Sequence, residues 1–290
     1  MIETNQDRLV AISVAGEIVA PRMPALPAMP HVIAKDGQPV LVPPLGGIVY
    51  NVKVGDRALG WVAENVHPGV SIKNRADGEH VALHTLSCVG NEARVMTGDA
   101  RGQTGTVTGK SGRWSEHLII HFPADTLQKL AIGDRILVKA LGIGLEFPAA
   151  PKVVAKNLSP ALVAAWNLAA TGGALQAPVV GVVPPELMGA GSGLSSDGGV
   201  LDIQTGDETL LAAAGLGDLR IGDIVAFQDC DCTFNSGFHK GAVSVGVVSQ
   251  GDSQRVGFGP GVTILMTSRE GAITPVRKPG VNLASLLGLR

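Results

Sequence analysis

"DIVAFQD" (223–229), "AVSVGVVS" (242–249) and "GVTILMTS" (261–268) are short, apolar, β-branched runs bounded by Gly, Asp or Ser. Each is too short for a typical globular helix, and branched side chains favour extended backbone. Val243, Val245 and Val247 recur with period two, so one face of that strand is expected to be buried. Similar runs lie upstream: "LVAISVAGEIVA" (9–20), "GGIVYNVKVGD" (46–56), "HLIIHF" (117–122), "DRILVKAL" (134–141) and "APVVGVV" (177–183). Val179 to Val183 is apolar throughout, which implies burial on both faces. Many closely spaced strands indicate barrels or sandwiches. We therefore expect a mainly β chain that contains a β-barrel and a few short helices, with an α+β arrangement as the alternative.

The composition agrees. The 290 residues include 39 Gly and 18 Pro, and only 3% are aromatic, so the chain turns often and builds its core from aliphatic side chains. At 45% hydrophobic and 17% charged it is neither collagen-like nor disordered. A formal net charge of -2 gives no general attraction to a polyanion and argues against nucleic acid as the main partner. Three cysteines, Cys88, Cys230 and Cys232, cannot close a disulfide framework. No apolar run reaches the ~20 residues that span a bilayer, and the N-terminus lacks the order of a signal peptide. The expected setting is cytoplasmic, without a membrane partner.

Helices are expected at "SPALVAAWNLAAT" (159–171), capped by Ser159 and stopped by Gly172–Gly173, and more briefly at 124–132 and 206–217. "TLQKLAIGDRILVKA" (126–140) and "GLGDLRIGDIVAFQD" (215–229) share Ile-Gly-Asp before an apolar strand, and Gly55–Asp56 repeats the Gly-Asp pair. Asp56, Asp134 and Asp223 then read as turn residues that accept bonds from nearby N–H groups. The repeat favours two β-rich halves, 1–145 and 146–290, joined near 142–156.

Three segments carry candidate chemistry. "NEARVMTGDARGQTGTVTGKSG" (91–112) resembles the KOW motif of ribosomal and transcription-factor barrels through Val95, Gly98, Gly102, Gly105 and Val107. That resemblance implies RNA contacts by Arg94, Arg101, Lys110 and Arg113, with Trp114 as the nearest aromatic; Glu92 and Asp99 dilute the charge. In "GVSIKNRADGEHVALHTLSCVGNEA" (69–93), His80 and His84 would share a face of a helix, as metal ligands do, or form a partly buried polar patch. Lys73, Asn74, Asn91 and Glu92 are the substrate-binding candidates there, and Cys88 reads as a buried small residue.

"FQDCDCTFNSGFHKG" (227–241) is the third. Period two sends Asp229 and Asp231 to one face and Cys230 and Cys232 to the other. Two carboxylates on one face need a counter-ion: Lys240, a divalent cation or a substrate amine. Otherwise they are the solvated rim of a strand. Downstream, Asp252, Ser253 and the loop Gly257–Gly261 could supply an acid, a hydroxyl and N–H groups at Gly259 and Gly261 that cradle an oxyanion.

"GGIVYNVKVGD", "HPGVSIKN", "CVGNEA", "GDARGQTGTVTGK", "PELMGAGSG", "LDIQT", "RIGDIVAFQDCD", "KGAVSVGVV" and "GFGPGVT" together resemble a prokaryotic family of uncharacterised proteins, domain of unknown function 4438. The resemblance covers nearly the whole chain. It implies a RIFT-like N-terminal barrel, with the KOW-like hairpin inside it, and a β-rich C-terminal half; it implies no activity. The family pattern places a His at positions equivalent to Gln250 and Phe258, so this chain keeps the acids and lacks both imidazoles. Asp229, Asp231, Lys240, Asp252 and Ser253 are then the catalytic candidates. Asp229, Asp231, His80 and His84 are the candidate ligands of a divalent metal. The expected function is a small-molecule enzyme, a hydrolase or lyase acting on an amide or lactam C–N bond. The alternatives are a ligand-binding or assembly protein and an RNA-binding one, and a homo-oligomer is expected in each.

Overall fold

A computed structural model describes residues 2–23, 31–112 and 116–289. The N-terminal part is a closed six-stranded antiparallel barrel. Its strands run Ile12–Ile18, Arg135–Ala140, Glu92–Val95, Thr104–Lys110, Leu118–His121 and Gly69–Lys73, and the last pairs back to the first. Closure leaves none of these six strands as a sheet edge. Alternate residues fill the interior: Val14, Ile18, Val70, Ile72, Val107, Ile120, Ile136 and Val138 form one core. The KOW-like stretch is the barrel hairpin Glu92–Val95/Thr104–Lys110.

The C-terminal part is built on the sheet Val154–Ala155, Gly261–Ser268, Gly237–Val248, Ile224–Asp231 and Gly181–Val183, with Leu201–Asp202 paired to Gly261–Ser268. Ile224 and Ala226 belong to one core and Val225 and Phe227 to another. Both faces of this sheet are therefore covered, which explains why its strands read as unbroken apolar runs. A three-stranded sheet, Ala169–Thr171, Ala174–Val179 and Ile273–Arg277, lies beside it.

The two parts meet where a side chain will not fit. A Cβ on Gly109 would lie 2.2 Å from the Ser249 Cβ. The neighbouring Lys110 N–H donates to Thr263 Oγ1 (2.9 Å), and Ser249 Oγ donates to the Lys110 carbonyl (3.1 Å).

Three readings are corrected. The expected helix over 159–171 covers only Pro160–Ala165, with Ser159 capping Leu162 as foreseen. Ala169–Thr171 is a strand, and Gly172–Gly173 turns a hairpin instead of stopping a helix. "GGIVYNVKVGD" pairs only over Ile48–Val49; the rest is loop that buries Val52 and Val54 against the C-terminal cores. The Gly-Asp reading holds at all three sites. The side chains of Asp56, Asp134 and Asp223 accept from the N–H three residues earlier, at Lys53 (2.8 Å), Ala131 (2.9 Å) and Arg220 (2.8 Å).

Candidate functional site

Helix Asp77–Leu86 packs into the barrel core through Leu83, and on it His80 and His84 share a buried face. With the loop around Leu194–Gly199 and with Glu116, the helix encloses a pocket of about 310 Å³. Glu116 holds φ +52°, an uncommon and strained conformation for a residue with a side chain. Its carboxylate lies 3.4 Å from Lys73 Nζ and 3.6 Å from His80 Nε2. The Asn74 N–H donates to His80 Nδ1 (3.4 Å), which places the proton of a neutral His80 ring on Nε2, toward Glu116. Asn74 Nδ2 donates to the Ala15 carbonyl and to Glu79, so Asn74 acts here as a support for His80.

Of the two helix histidines, His84 is the more deeply buried. A Cβ on Gly198 would sit 3.1 Å from His84 Nδ1, so that nitrogen borders the pocket. The His117 backbone favours the protonated ring and works against its burial. Nδ1 is the nitrogen on the pocket side. Behind them His67 and His117 pack edge to face at 5.6 Å. Among the described residues, His67 Nε2, His80 Nε2, His84 Nε2 and His117 Nδ1 are buried without a hydrogen-bond partner.

Burial depresses all four imidazoles. It is the main cause for His84, with Lys110 and His80 adding repulsion. His80 is lowered by burial and then by Lys73, against the pull of Glu116 and Asp77. Burial, Lys73, His80 and Arg22 bring His117 down to about 4. Burial and His117 take His67 well below the usual value. The rings are neutral at pH 7, and a neutral imidazole with a free lone pair can accept a proton.

The acids singled out from the sequence do not gather here. Asp229 sits at a β-bulge, at φ +53°, and accepts the Gly241 N–H at 2.7 Å. Asp231 accepts from the Thr233 N–H and hydroxyl and pairs with Arg269 at 2.8 Å. Lys240 is exposed. Cys230 and Cys232 do share a buried face, with sulfurs 3.7 Å apart. Among the described residues, no three His, Cys, Asp or Glu side chains are placed to hold a metal ion. The pair Asp229 and Asp231 and the pair His80 and His84 have separate partners. Asn91 closes a turn by bonding Cys88 and Leu141, and Glu92 faces solvent.

Asp252 lies in a second cleft of about 530 Å³, lined also by Lys35, Trp61, Thr205, Glu208 and Gln254. It accepts from Thr205 Oγ1 at 2.7 Å and pairs with Lys35 at 3.3 Å. Ser253 is fully buried and donates to Glu64. The Gly259 N–H, expected to cradle a substrate oxygen, donates to the chain's own Asp202 carboxyl. Burial pushes that carboxyl up to about 8, and Asp252 and Glu64 add to the effect. Gly259 has no open space: a Cβ would lie 1.8 Å from the Ile203 carbonyl oxygen. Gly261 pairs with Asp202 inside the sheet.

The sequence missed Glu116, Ser195, Gly198 and Gly199 as pocket residues and misread Lys110. Placed among surface cations, Lys110 is fully buried. Arg94 and Arg101 are exposed on the barrel hairpin. Arg113 and Trp114 lie outside the described residues. No helix of the described residues is long and apolar enough to cross a membrane.

The crystal structure of TM1086 is similar over 98% of each chain, with 42% identity and a TM-score of 0.91. No curated protein matches. The N-terminal model of the domain of unknown function DUF4438 matches residues 31–164 and its C-terminal model residues 165–287. The chain therefore belongs to the DUF4438 family.

Proposed function

We propose that the chain is a small-molecule enzyme of the hydrolase or lyase type, working by general acid–base catalysis in the pocket between helix Asp77–Leu86 and the Leu194–Gly199 loop. The observation that supports this is His84: a buried, neutral imidazole with one nitrogen bordering an open pocket, across which Glu116 is held by Lys73 and His80. His84 Nδ1 takes a proton from water or from substrate, and the imidazolium then donates it to the leaving atom. Glu116 offsets the positive charge that develops on the ring. A leaving nitrogen needs such a proton as its bond breaks, so the C–N bond expected from the sequence remains the assigned target. The three free thiols, all buried, fit a reducing cytoplasmic setting.

The test is a thermal-shift screen of small metabolites followed by turnover assays of the hits, on wild type, His84→Gln and Glu116→Gln. Hits whose conversion disappears in both variants support the assignment. Hits that His84→Gln converts at the wild-type rate would move the function elsewhere. Hits that bind and are never converted would favour a ligand-binding protein.

A further inference from the structure

Lys110 presents an electrostatic problem that the chain does not solve by itself. Its ammonium group is completely buried, and it donates to three oxygens: the Thr85 carbonyl (3.3 Å), Asn157 Oδ1 (2.6 Å) and the Asp197 carbonyl (2.9 Å). All three acceptors are uncharged. Buried lysines are seldom left without a carboxylate, because desolvating an unmatched charge is costly. Burial pulls Lys110 down to about 8, and the Asp197 charge, which favours its ammonium form, is opposed by Lys156; the carboxylates nearby already face other cations. Glu116 faces Lys73 at 3.4 Å, and Asp197 faces Lys156 at 2.8 Å. Cys88 cannot serve as counter-ion, since burial pushes its thiol up to about 11. Asp77 is exposed at the start of the helix, where water screens it.

Two of the three residues that hold the ammonium group, Thr85 and Asp197, are themselves walls of the His84 pocket. The unmatched charge therefore stands directly behind an open space. That space also has donors to spare. The N–H groups of Gly198 and Gly199 donate to nothing among the described residues. The Ser195 hydroxyl oxygen accepts from the Asp197 N–H at 3.4 Å, so its O–H remains available.

Taking the pocket as the functional site, we propose that it takes a small monoanion, a carboxylate-bearing molecule, with Lys110 as buried counter-charge and the Gly198 and Gly199 amides and the Ser195 hydroxyl as its hydrogen-bond donors. One negative charge brings the pocket and its walls to balance. It would also favour the protonated form of His84, and so make that ring a better base while the ligand is in place.

The experiment uses the full chain with labelled histidine imidazoles, followed by NMR during titration with propionate and, separately, with its neutral isostere propionamide. Propionate is expected to shift the His84 and His80 signals saturably and to raise the pH at which His84 titrates. Propionamide should bind at least about tenfold more weakly. Lys110→Met should erase that preference. Because this variant could fail to fold, Glu116→Gln provides an arm of opposite sign: removing a negative charge from the wall should tighten propionate several-fold. Equal binding of acid and amide, a preference that survives Lys110→Met, or weaker propionate binding in Glu116→Gln would each overturn the proposal. Shifts confined to His239, outside the pocket, would overturn it as well. These readouts do not depend on turnover. Loss of conversion in His84→Gln together with equal binding of acid and amide would sink the anion assignment and leave the acid–base reading standing.

Discussion

The hairpin around Asp229 and Asp231 and the pocket around His80 and His84 are both rich in chemically able side chains, and they differ in what answers those side chains. In the hairpin every carboxylate is matched by its own surroundings: Asp229 by the Gly241 N–H, Asp231 by Thr233 and Arg269. In the pocket, buried imidazole nitrogens have no partner among the described residues, and a cation faces only neutral oxygens. Native structures leave few buried polar groups unmatched, so such groups beside a cavity point to a ligand. A cluster of acids in sequence predicts where turns and bulges must be held. Unanswered groups in space predict where something else must bind.

The comparison breaks most visibly in turnover. His84→Gln keeps a polar side chain of similar size and removes the base, so kcat should fall on the order of 10²–10⁴-fold. Asp229→Asn, which alters only a bulge contact, should stay within about threefold of wild type. Equal losses in the two variants, measured on one substrate, would erase the distinction between the regions.

The glycine loop offers the next largest effect, and it should be one of stability. Gly259→Ala places a Cβ 1.8 Å from the Ile203 carbonyl oxygen, which is backbone and cannot swing aside. We expect a loss of about 3 kcal/mol or more in chemical denaturation. A folded Gly259→Ala protein of normal stability and no activity would instead make the loop an oxyanion cradle.

Much of the fold was legible because local chemistry is stated in local sequence. Ile-Gly-Asp before a strand gave the same i−3 carboxylate bond at Asp134 and Asp223, and Gly55–Asp56 gave it again. Apolar runs marked nearly every long strand. Barrel closure was not legible from period alone, since pairing of Ile12–Ile18 with Gly69–Lys73 depends on chain separated by some fifty residues. The Ala169–Thr171 strand was lost because alanine suits a helix, while tertiary pairing with Ala174–Val179 decided otherwise. The site was half legible. His80 and His84 announced themselves by spacing. Glu116 and Gly198 carry no spacing signal, and arrive at the helix only through the folding of distant loops.

The buried imidazoles sharpen the contrast through pH. His117 is lowered from 6.5 to about 4, so below pH 6.5 the unfolded chain takes up a proton that the folded chain refuses. Stability is therefore lost as the pH falls from about 6.5 toward 4 and levels off below that. At pH 5 the loss from His117 alone is about 2 kcal/mol. His67 and His84 are shifted in the same direction and add to it. Urea melts of wild type and His117→Gln should converge as the pH drops through this window. A wild type whose stability is flat between pH 7 and 5 would show the imidazoles to be hydrated or paired.

The smallest effect separates the hairpin acid from a catalytic one. Burial works against ionisation of Asp231, but the Thr233 hydroxyl and N–H and Arg269 outweigh it and hold the carboxyl below its usual value. Its stabilisation is then present above the ordinary carboxylate range and is lost as the pH falls through the folded value, the opposite sign to a carboxyl raised for acid catalysis. Arg269 is more than half exposed, so the ion pair itself adds little, and Asp231→Asn should cost about 1 kcal/mol at neutral pH. The gap to wild type should close as the pH drops below about 4. An Asp231→Asn protein with unchanged melting but lost turnover at pH 7 would return Asp231 to the catalytic list, because an acid engaged only by Thr233 and Arg269 can affect stability and has no means of reaching a substrate.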